Sequence, residues 1–319
     1  MMIYPRVPRP DRAGGRLAVL TSYYNPCRFA SRYSNYVEFR KKLGGADVFT
    51  IELAFNADSF QLTEYDSVVR IVGSESNLMW QKERMLNVLL RHVPAEYTDI
   101  AWIDCDVVFE NANWAADLQR LLQDYALVQL FHDVKFLGKS GDLLRQFPGL
   151  IWSCNQHQVV DEASYLKAAK GITWVNKPHP GLAWGCRREI LDAVGLLDSN
   201  IIGNGDLRMA MASMSTWELM RSHVTEGEPL YQETLRWGKS FYELVRSSIA
   251  YVPGTIRHLY HGHGRNRQYD SRKLILFRHG FDPKVDIRLG ANQLWEWASD
   301  KPGMHIEIAT YFRERREDE

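Results

Sequence analysis

Runs of apolar residues predict four β-strands in the first third of the chain. They cover residues 17–22, 47–55, 67–72 and 100–103. These runs are rich in β-branched and aromatic residues, and polar or turn-forming residues bound them, as is typical of strands. The first strand opens into a polar and aromatic loop over residues 23–26.

A segment whose apolar residues follow a helical period precedes the last of these strands. In residues 77–91 the apolar positions recur close to every 3.6 residues, and Pro94 follows their end. These positions are Leu78, Met79, Met85, Leu86, Leu89 and Leu90. The pattern predicts an amphipathic helix that ends before the proline. The predicted order β, β, β, α, β favours an α/β protein whose ligands bind at the carboxyl ends of the strands.

Two carboxylates stand at the end of the fourth strand. Asp104 and Asp106 are separated only by Cys105, and apolar residues 107–109 follow them. Burying two acids is unfavourable unless a cation or hydrogen-bond donors compensate them. Mg²⁺ and Mn²⁺ bind proteins through one or two carboxylates together with substrate phosphates, so the pair predicts a metal–diphosphate site. The alternative is a strand end with two solvated acids.

The residues around this pair carry a family resemblance. The block 80–87, Trp-Gln-Lys-Glu-Arg-Met-Leu-Asn, and the block 98–107 with its Asp-x-Asp (DxD) motif resemble metal-dependent GT-A-fold glycosyltransferases, notably the galactosyltransferase-like branch. The resemblance implies a Rossmann-like mixed α/β sheet flanked by helices. It also implies that Asp104 approaches the ribose or the water shell of the metal, and that Asp106 ligates the metal directly.

The same resemblance nominates residues for the nucleotide end of the donor. Lys82, Arg84 and Asn87 match a basic residue and an asparagine that help to hold the nucleotide in that family. Thr21 and Tyr23, at the end of the first strand, are weaker candidates for the same end. A solvated helix face is the alternative interpretation of Lys82 and Arg84.

A second block resembles the acceptor side of the same family. In residues 179–207 a Gly-rich strand precedes a short helix, a turn and a Gly-rich loop with one acid, Asp206, where the family commonly has two. The resemblance makes Trp184 and Gly185 acceptor-side residues, and Asp206 the base that deprotonates the acceptor hydroxyl in inverting members. A positioned carboxylate contributes roughly 10²–10⁴-fold to such a reaction. The alternative is that Asp206 caps a helix beginning at Leu207.

Three histidines lie close together further along the chain. His258, His261 and His263, with glycines between and after them, indicate a strand end that turns into a loop. Imidazole is a good ligand for borderline divalent ions, and the resemblance implies a histidine ligand near the end of the domain. His261 is favoured and His258 competes with it, because strand alternation predicts that these two side chains point to opposite faces.

Two arginines follow the histidines directly. Arg265 and Arg267 lie where a mobile loop could close on a diphosphate. A guanidinium group pairs bidentately with phosphate oxygens, so both residues are candidates for donor binding.

Composition fits a compact enzyme. A chain of 319 residues and 37.0 kDa, with 45% hydrophobic and 24% charged residues, can bury a substantial core. The formal net charge is zero, so no overall charge attracts nucleic acid. Four scattered cysteines without Cys-x-x-Cys spacing argue against a structural zinc site and against a disulfide framework.

The chain shows no signal peptide and no apolar stretch long enough for a transmembrane segment. This predicts a cytoplasmic enzyme in a bacterium or a phage-infected host cell. Trp152 and Trp174 lie in a less regular region and are candidates for stacking on a sugar. The predicted divisions are an extension at 1–15, a glycosyltransferase domain at 16–285 and a helical appendage at 286–319. The domain would consist of a donor half at 16–137, a lid or insertion at 138–180 and an acceptor half at 181–285.

The sequence therefore predicts a glycosyltransferase that uses Mn²⁺ or Mg²⁺ and moves a sugar, with inversion, from a nucleotide diphosphate donor. A UDP-sugar is the favoured donor, and the acceptor could be a surface glycan, a lipid-linked intermediate, a protein or a modified phage DNA base. One alternative is a nucleotidyltransferase, which should carry a Gly-rich basic loop after the first strand, unlike residues 22–26. Another is a non-catalytic sugar- or nucleotide-binding protein, which needs no base.

Overall fold

The computed structural model describes residues 2–9, 15–55, 59–65, 67–169, 178–269 and 271–319. In chain order its strands are β1 (Arg16–Tyr24), β2 (Asp47–Ala54), β3 (Val68–Val72), β4 (Tyr97–Ile103), β5 (Val107–Phe109), β6 (Leu127–Gln129), β7 (Asp133–Leu137), β8 (Leu143–Pro148), β9 (Ala183–Arg187), β10 (Ile249–Tyr251), β11 (Thr255–His258), β12 (Ile287–Leu289) and β13 (Trp295–Trp297).

The helices connect and cover these strands. They are α1 (Ala30–Lys42), α2 (Lys82–Leu90), α3 (Trp114–Asp124), α4 (Leu150–Gln156), α5 (Glu162–Ala169), α6 (Arg188–Val194), α7 (Gly205–Ser213), α8 (Trp217–His223), α9 (Glu228–Val245), α10 (Lys273–Arg278), α11 (Pro283–Asp286) and α12 (Pro302–Glu314). Short 3-10 turns lie at Glu75–Asn77 and Gly264–Arg267. None of the helices in the described ranges has the length and apolar character needed to span a membrane.

The largest sheet has seven strands in the order β10-β6-β9-β4-β1-β2-β3. Within the group β1 to β4, each pair of neighbouring strands is parallel. Strand β9 runs antiparallel to both β4 and β6. A four-stranded sheet, β5-β11-β7-β8, and the hairpin β12-β13 complete the strands. The predicted fold class, a mixed α/β sheet with helices packed against it, is confirmed.

Burial explains why β4 and β9 lie at the centre of the sheet. Every residue of β9 is buried, and in β4 only Thr98 is partly exposed. Strands that are covered on both faces are near-continuous apolar runs, as residues 100–103 are in the sequence. Helices α2, α3 and α6 pack against β1, β9 and β4. The two acids that follow β4 are therefore fixed at the edge of a well-packed sheet.

Helix α1 is absent from the predicted order, which becomes β, α, β, β, α, β. Only Tyr36 and Phe39 of α1 are buried, so few apolar positions reveal its helical period. Helix α2 begins at Lys82 rather than at residue 77. The cause is the 3-10 turn Glu75–Asn77, which is closed by a capping box between Ser74 and Asn77.

Two other regions also differ from expectation. The part after residue 286 is not purely helical, because the hairpin β12-β13 precedes α12. Met304, Ile308 and Phe312 of α12 belong to the main hydrophobic core, so this part packs on the rest of the fold. The less regular region at 138–180 contains β8, α4 and α5. Trp174 lies outside the described residues.

Candidate metal centre and active site

The acidic turn connects the two larger sheets. It leaves the seven-stranded sheet after β4 and enters the four-stranded sheet at β5. The Asp104 amide donates to the Leu182 carbonyl at 2.8 Å, and the Leu259 amide donates to the Asp106 carbonyl at 2.8 Å. These bonds hold the turn against the start of β9 on one side and against the end of β11 on the other, where the histidines lie.

Asp106, His258 and His261 form a potential metal-binding triad. One ligand atom from each of the three residues lies within 4.8 Å of the others. His258 Nε2 is 3.6 Å from Asp106 Oδ1, and His261 Nδ1 is 2.9 Å from Asp106 Oδ2. The prediction that the two histidines point to opposite faces is wrong, because β11 ends at His258 and alternation does not extend to His261.

The residues of the triad fit a divalent transition metal. Asp106 Oδ1 is a buried oxygen without a hydrogen-bond partner among the described residues. Such an atom is unfavourable unless another group binds it. One carboxylate oxygen and two imidazole nitrogens suit a first-row ion such as Mn²⁺ better than Mg²⁺, which prefers oxygen ligands throughout.

The two imidazoles have the protonation state that ligation needs. Burial lowers the pKa of His258 to about 3, and the positive charge of Arg267 acts in the same direction. Burial and Arg267 also lower the pKa of His261. Both rings are therefore neutral near pH 7, which is the form that binds a metal ion.

This protonation state predicts a weak pH dependence of Mn²⁺ affinity. Two histidines with an ordinary pKa would lose affinity as the pH falls from about 8 to about 6, because protonated imidazole cannot ligate. Here burial lowers the pKa of His258 to about 3, so this ring stays neutral throughout the range, and the pKa of His261 is lowered in the same direction. We expect the Mn²⁺ dissociation constant, measured by titration calorimetry, to change by less than about threefold between the two pH values. A loss of affinity of about tenfold or more at the lower pH would contradict this expectation.

Lys82 connects the first acid of the turn to Asp206. Its Nζ lies 2.6 Å from Asp104 Oδ1 and 3.1 Å from Asp206 Oδ2. Burial would lower the pKa of Lys82, but the two carboxylates outweigh burial and raise it well above its usual value. Burial raises the pKa of Asp104 to about 6, with Asp206 and Asp106 acting in the same direction against Lys82. A buried ammonium group thus stands between two acids beside the triad.

Asp206 is not the N-cap of α7. The helix begins at Gly205, and Asn204, in the left-handed conformation with φ 84°, occupies the N-cap position. Asp206 lies in the first turn, so the capping interpretation is wrong. Gly181 lies close to Asp206, and its missing side chain leaves room for the carboxylate. A Cβ on Gly181 would lie 2.9 Å from Asp206 Oδ2 and 3.5 Å from His179 Cε1.

His179 is a neighbour of Asp206 whose place in the site the sequence did not reveal. Its Nδ1 accepts a hydrogen bond from the Gly181 amide at 3.2 Å. Burial lowers the pKa of His179 to about 3, so the ring is neutral. The only signal in the sequence is its position two residues before a glycine that precedes β9.

Arg84 and Asn87 lie on the same helix as Lys82 but contact a different part of the chain. Arg84 Nη1 pairs with Asp198 Oδ2 at 3.1 Å, and Asn87 Nδ2 donates to the same oxygen at 2.8 Å. Asn87 Oδ1 accepts from the Leu196 amide at 2.8 Å. Both side chains hold the turn that leads to α7, and their role in nucleotide binding stays a prediction.

The two candidates on β1 differ from each other. Thr21 is fully buried and donates from Oγ1 to the Ile103 carbonyl at 2.8 Å, so its side chain lies in the packed interior rather than on a ligand-facing surface. Tyr23 borders a cavity of about 110 Å³, together with Glu52 and Gln61, at the carboxyl ends of β1 and β2. The Tyr23 hydroxyl donates to Gln61 Oε1 at 3.0 Å.

Trp184 and Gly185 belong to the core rather than to an acceptor surface. Trp184 is 0% exposed, and its Nε1 donates to the Pro180 carbonyl at 2.8 Å. A Cβ on Gly185 would lie 2.5 Å from Leu118 Cδ1, so this glycine permits α3 to pack closely on β9. The expectation that these two residues contact an acceptor is corrected by their burial.

The remaining candidates lie on the loop after the triad and differ in their burial. His263 and Arg265 are exposed, and the His263 ring packs near Tyr260 rather than in the triad. Arg267 is buried, and its Nη1 pairs with Glu317 Oε1 at 2.9 Å. Arg267 therefore lies beside the triad but already has an anionic partner.

No family model matches this chain, and no curated protein matches its sequence. Among solved structures, it is similar to glucosyl-3-phosphoglycerate synthase from Mycobacterium tuberculosis in complex with Mn²⁺, UDP-glucose and phosphoglyceric acid (13% identity, covering 83% of this chain and 78% of that chain, TM-score 0.42). It is also similar to S. aureus TarS 1–349 (12% identity, covering 71% and 72%, TM-score 0.38) and to a mycobacterial protein (14% identity, covering 90% and 84%, TM-score 0.42).

Proposed function

We propose that this chain is a metal-dependent glycosyltransferase of the GT-A type. The observation that supports the proposal is the grouping of two sites around one turn. The triad of Asp106, His258 and His261 lies on one side of the turn, and Lys82 with Asp206 lies on the other. Such a grouping can hold a diphosphate and an attacking hydroxyl next to each other.

The donor in this proposal is a nucleotide diphosphate sugar, with a UDP-sugar favoured. A divalent ion such as Mn²⁺, held by Asp106, His258 and His261, would neutralise charge on the departing diphosphate. Lys82 adds a largely buried positive charge on the other side of the turn, next to Asp104. Tyr23, which borders a small cavity at the carboxyl ends of β1 and β2, is a candidate for contact with the nucleotide end of the donor.

Asp206 is the general base in this proposal. A hydroxyl that attacks the anomeric carbon has to lose its proton, and Asp206 would accept it. A single displacement of this kind inverts the configuration at the anomeric carbon. His179, which is neutral and adjacent to Asp206, can hydrogen-bond the acceptor hydroxyl without competing for its proton.

The finer parts of the proposal concern substrate and location. Hexosyl transfer in the manner of the galactosyltransferase-like branch is supported by the block 80–87 and the DxD motif. The acceptor would be a surface glycan, a lipid-linked intermediate, a protein or a modified phage DNA base, and the enzyme would act in the cytoplasm.

A thermal-shift screen tests the proposal. The protein would be heated with UDP-, GDP- and dTDP-sugars, each with and without Mn²⁺, and we expect stabilisation by one class only when Mn²⁺ is present. Donor hydrolysis by the same mixture would then distinguish an enzyme from a binding protein, which would be stabilised but would leave the donor intact. Failure of every nucleotide sugar to stabilise the protein with any divalent ion would reject the proposal.

The two histidines of the triad give a more specific prediction. We expect His258→Ala and His261→Ala each to weaken Mn²⁺ binding by more than the roughly 10–100-fold that an outer-sphere change costs. The larger loss is expected at His261, because its nitrogen lies nearer to Asp106. His263→Ala, two residues further along and exposed, is the matched control and should bind Mn²⁺ normally. A loss confined to His258→Ala would remove His261 from the site.

A further inference from the structure

Residues 315–319, which follow α12, lie directly on the loop that carries His261. A Cβ on Gly262, whose φ is 90°, would lie 2.9 Å from Glu317 Cα and 3.0 Å from the Arg315 carbonyl oxygen. The Tyr260 hydroxyl donates to the Glu319 carbonyl. This covering segment, residues 315–319, therefore packs against the backbone next to a candidate metal ligand.

Glu317 is completely buried and is surrounded by arginines from three parts of the chain. Its carboxylate lies 2.5 Å from Arg32 Nε, 2.9 Å from Arg267 Nη1 and 2.7 Å from Arg315 Nε. Burial would raise the pKa of Glu317, but Arg32 and Arg267 hold it below its usual value, so the group is an anion. In the described part of the chain, the ion pairs of these three arginines all go to Glu317.

The arginine cluster has more positive charge than Glu317 can neutralise. Three guanidinium groups pair with one carboxylate, that of Glu317, and the more distant charge of Asp106 also acts on Arg32 and Arg267. Two carboxylates do not balance three guanidinium groups, and Arg267 Nε is a buried donor without a hydrogen-bond partner among the described residues. Buried charge that is not compensated is unfavourable unless a ligand supplies the opposite charge. A phosphate group offers more negative charge and more acceptor oxygens than a carboxylate does.

The cluster borders the metal triad. The charge of Arg267 contributes to the lowered pKa of both His258 and His261, and Glu317 opposes it at His261. An anion bound at the arginines would therefore lie next to an ion held by Asp106 and the two histidines.

Part of the covering segment can leave without dismantling the cluster. Arg315 lies over the rings of Trp80, Tyr311 and Phe312, at 5.7 to 5.9 Å from their centroids, and these contacts hold it in place. Beyond it, Asp318 accepts hydrogen bonds from the first amides of α1, and its carbonyl accepts one from Lys139. These last contacts are exposed, so they are easily exchanged for water.

We propose that Arg32, Arg267 and Arg315 form a phosphate-binding subsite beside the metal triad, which Glu317 fills until residues 316–319 move aside for a phosphate-containing ligand. The identity of that ligand, the diphosphate of a nucleotide sugar, rests on the proposed function. The subsite itself rests on the arginines alone. Glu317 acts as an internal competitor for the phosphate-containing ligand. The apparent affinity is the intrinsic affinity multiplied by the fraction of molecules whose subsite is open.

Inorganic pyrophosphate in the absence of metal tests the subsite. Glu317→Gln removes the competing charge and keeps the size of the side chain. If the subsite is closed in about nine molecules of ten, this variant should bind pyrophosphate about tenfold more tightly than the wild type in titration calorimetry. Glu314→Gln is the matched control, because it makes the same change at an exposed position on the same part of the chain and should bind as the wild type does. Adding Arg267→Gln to Glu317→Gln should cancel the gain.

A second variant leaves Glu317 and the arginines intact. Asp318→Ala removes the contact with α1, so residues 316–319 should open more often and pyrophosphate should bind more tightly. If Glu317→Gln folds poorly, this variant decides the question. Unchanged or weaker pyrophosphate binding in the folded variants would overturn the proposal and make Glu317 a structural ion pair. Because the assay contains no metal, nucleotide or sugar, its outcome is independent of whether the chain transfers sugars.

Discussion

Replacing Asp106 by alanine is expected to abolish the Mn²⁺-dependent binding of UDP. Asp106 is the only carboxylate of the triad, and both histidines contact it. Without it, two neutral imidazoles remain, and the charge of the diphosphate lacks most of its compensation. The loss should exceed the roughly 10–100-fold that an outer-sphere substitution costs. Titration calorimetry with UDP, in the presence and in the absence of Mn²⁺, would measure this loss of affinity.

An exposed acid provides the control for this experiment. Asp300→Ala removes the same group far along the chain from the acidic turn, and its Mn²⁺-dependent UDP binding should equal that of the wild type. If Asp106→Ala still bound UDP in a Mn²⁺-dependent manner, the ion would have to be held elsewhere. The assignment of the triad would then be wrong, together with the ligand roles of His258 and His261.

The place of the acidic turn could be predicted because its signals are local. The apolar run at 100–103 determines a buried central strand, and the two acids follow it directly. Their position at the edge of the sheet then follows from the direction of the strand. Asp206 is similar, since it follows Gly203 and Gly205 directly and lies in the first turn of α7.

Side-chain directions within elements were harder to predict. Thr21 and Trp184 match positions that contact ligands in the resembling family, but each lies on a strand face that is buried here. Both strands are buried on both faces around these positions, so neither face could have offered a ligand contact. The error about His258 and His261 had a different cause, because it depended on where β11 ends.

Contacts between distant parts of the chain had no signal in the sequence. Lys82 and Asp206 are 124 positions apart, and Arg32 and Glu317 are 285 positions apart. Charged residues such as these match a solvated surface equally well until the fold brings them together. The ion pairs of Lys82 with the two acids depend on tertiary structure, and so does the arginine cluster around Glu317. No local period or motif encodes either of them.

Asp206→Asn should lower sugar transfer by about 10²-fold or more while donor binding survives. Asparagine keeps the size of the side chain and an oxygen that can accept from Lys82, but it cannot take a proton. A capping role would have made this substitution silent, but Asn204 occupies the N-cap position and Asp206 lies in the first turn. The measurements are the turnover number with an identified acceptor and the affinity for UDP with Mn²⁺.

The result also decides the stereochemical part of the proposal, because inversion depends on Asp206 alone. Near-normal turnover of Asp206→Asn would mean that Asp206 serves to hold Lys82, whose Nζ lies 3.1 Å from its carboxylate. Lys82→Met, which keeps an unbranched chain but loses the charge, would then weaken UDP binding while Asp206→Asn would not. A large loss of turnover with unchanged UDP affinity would instead support a base at this position, since only the step that moves a proton would have been removed.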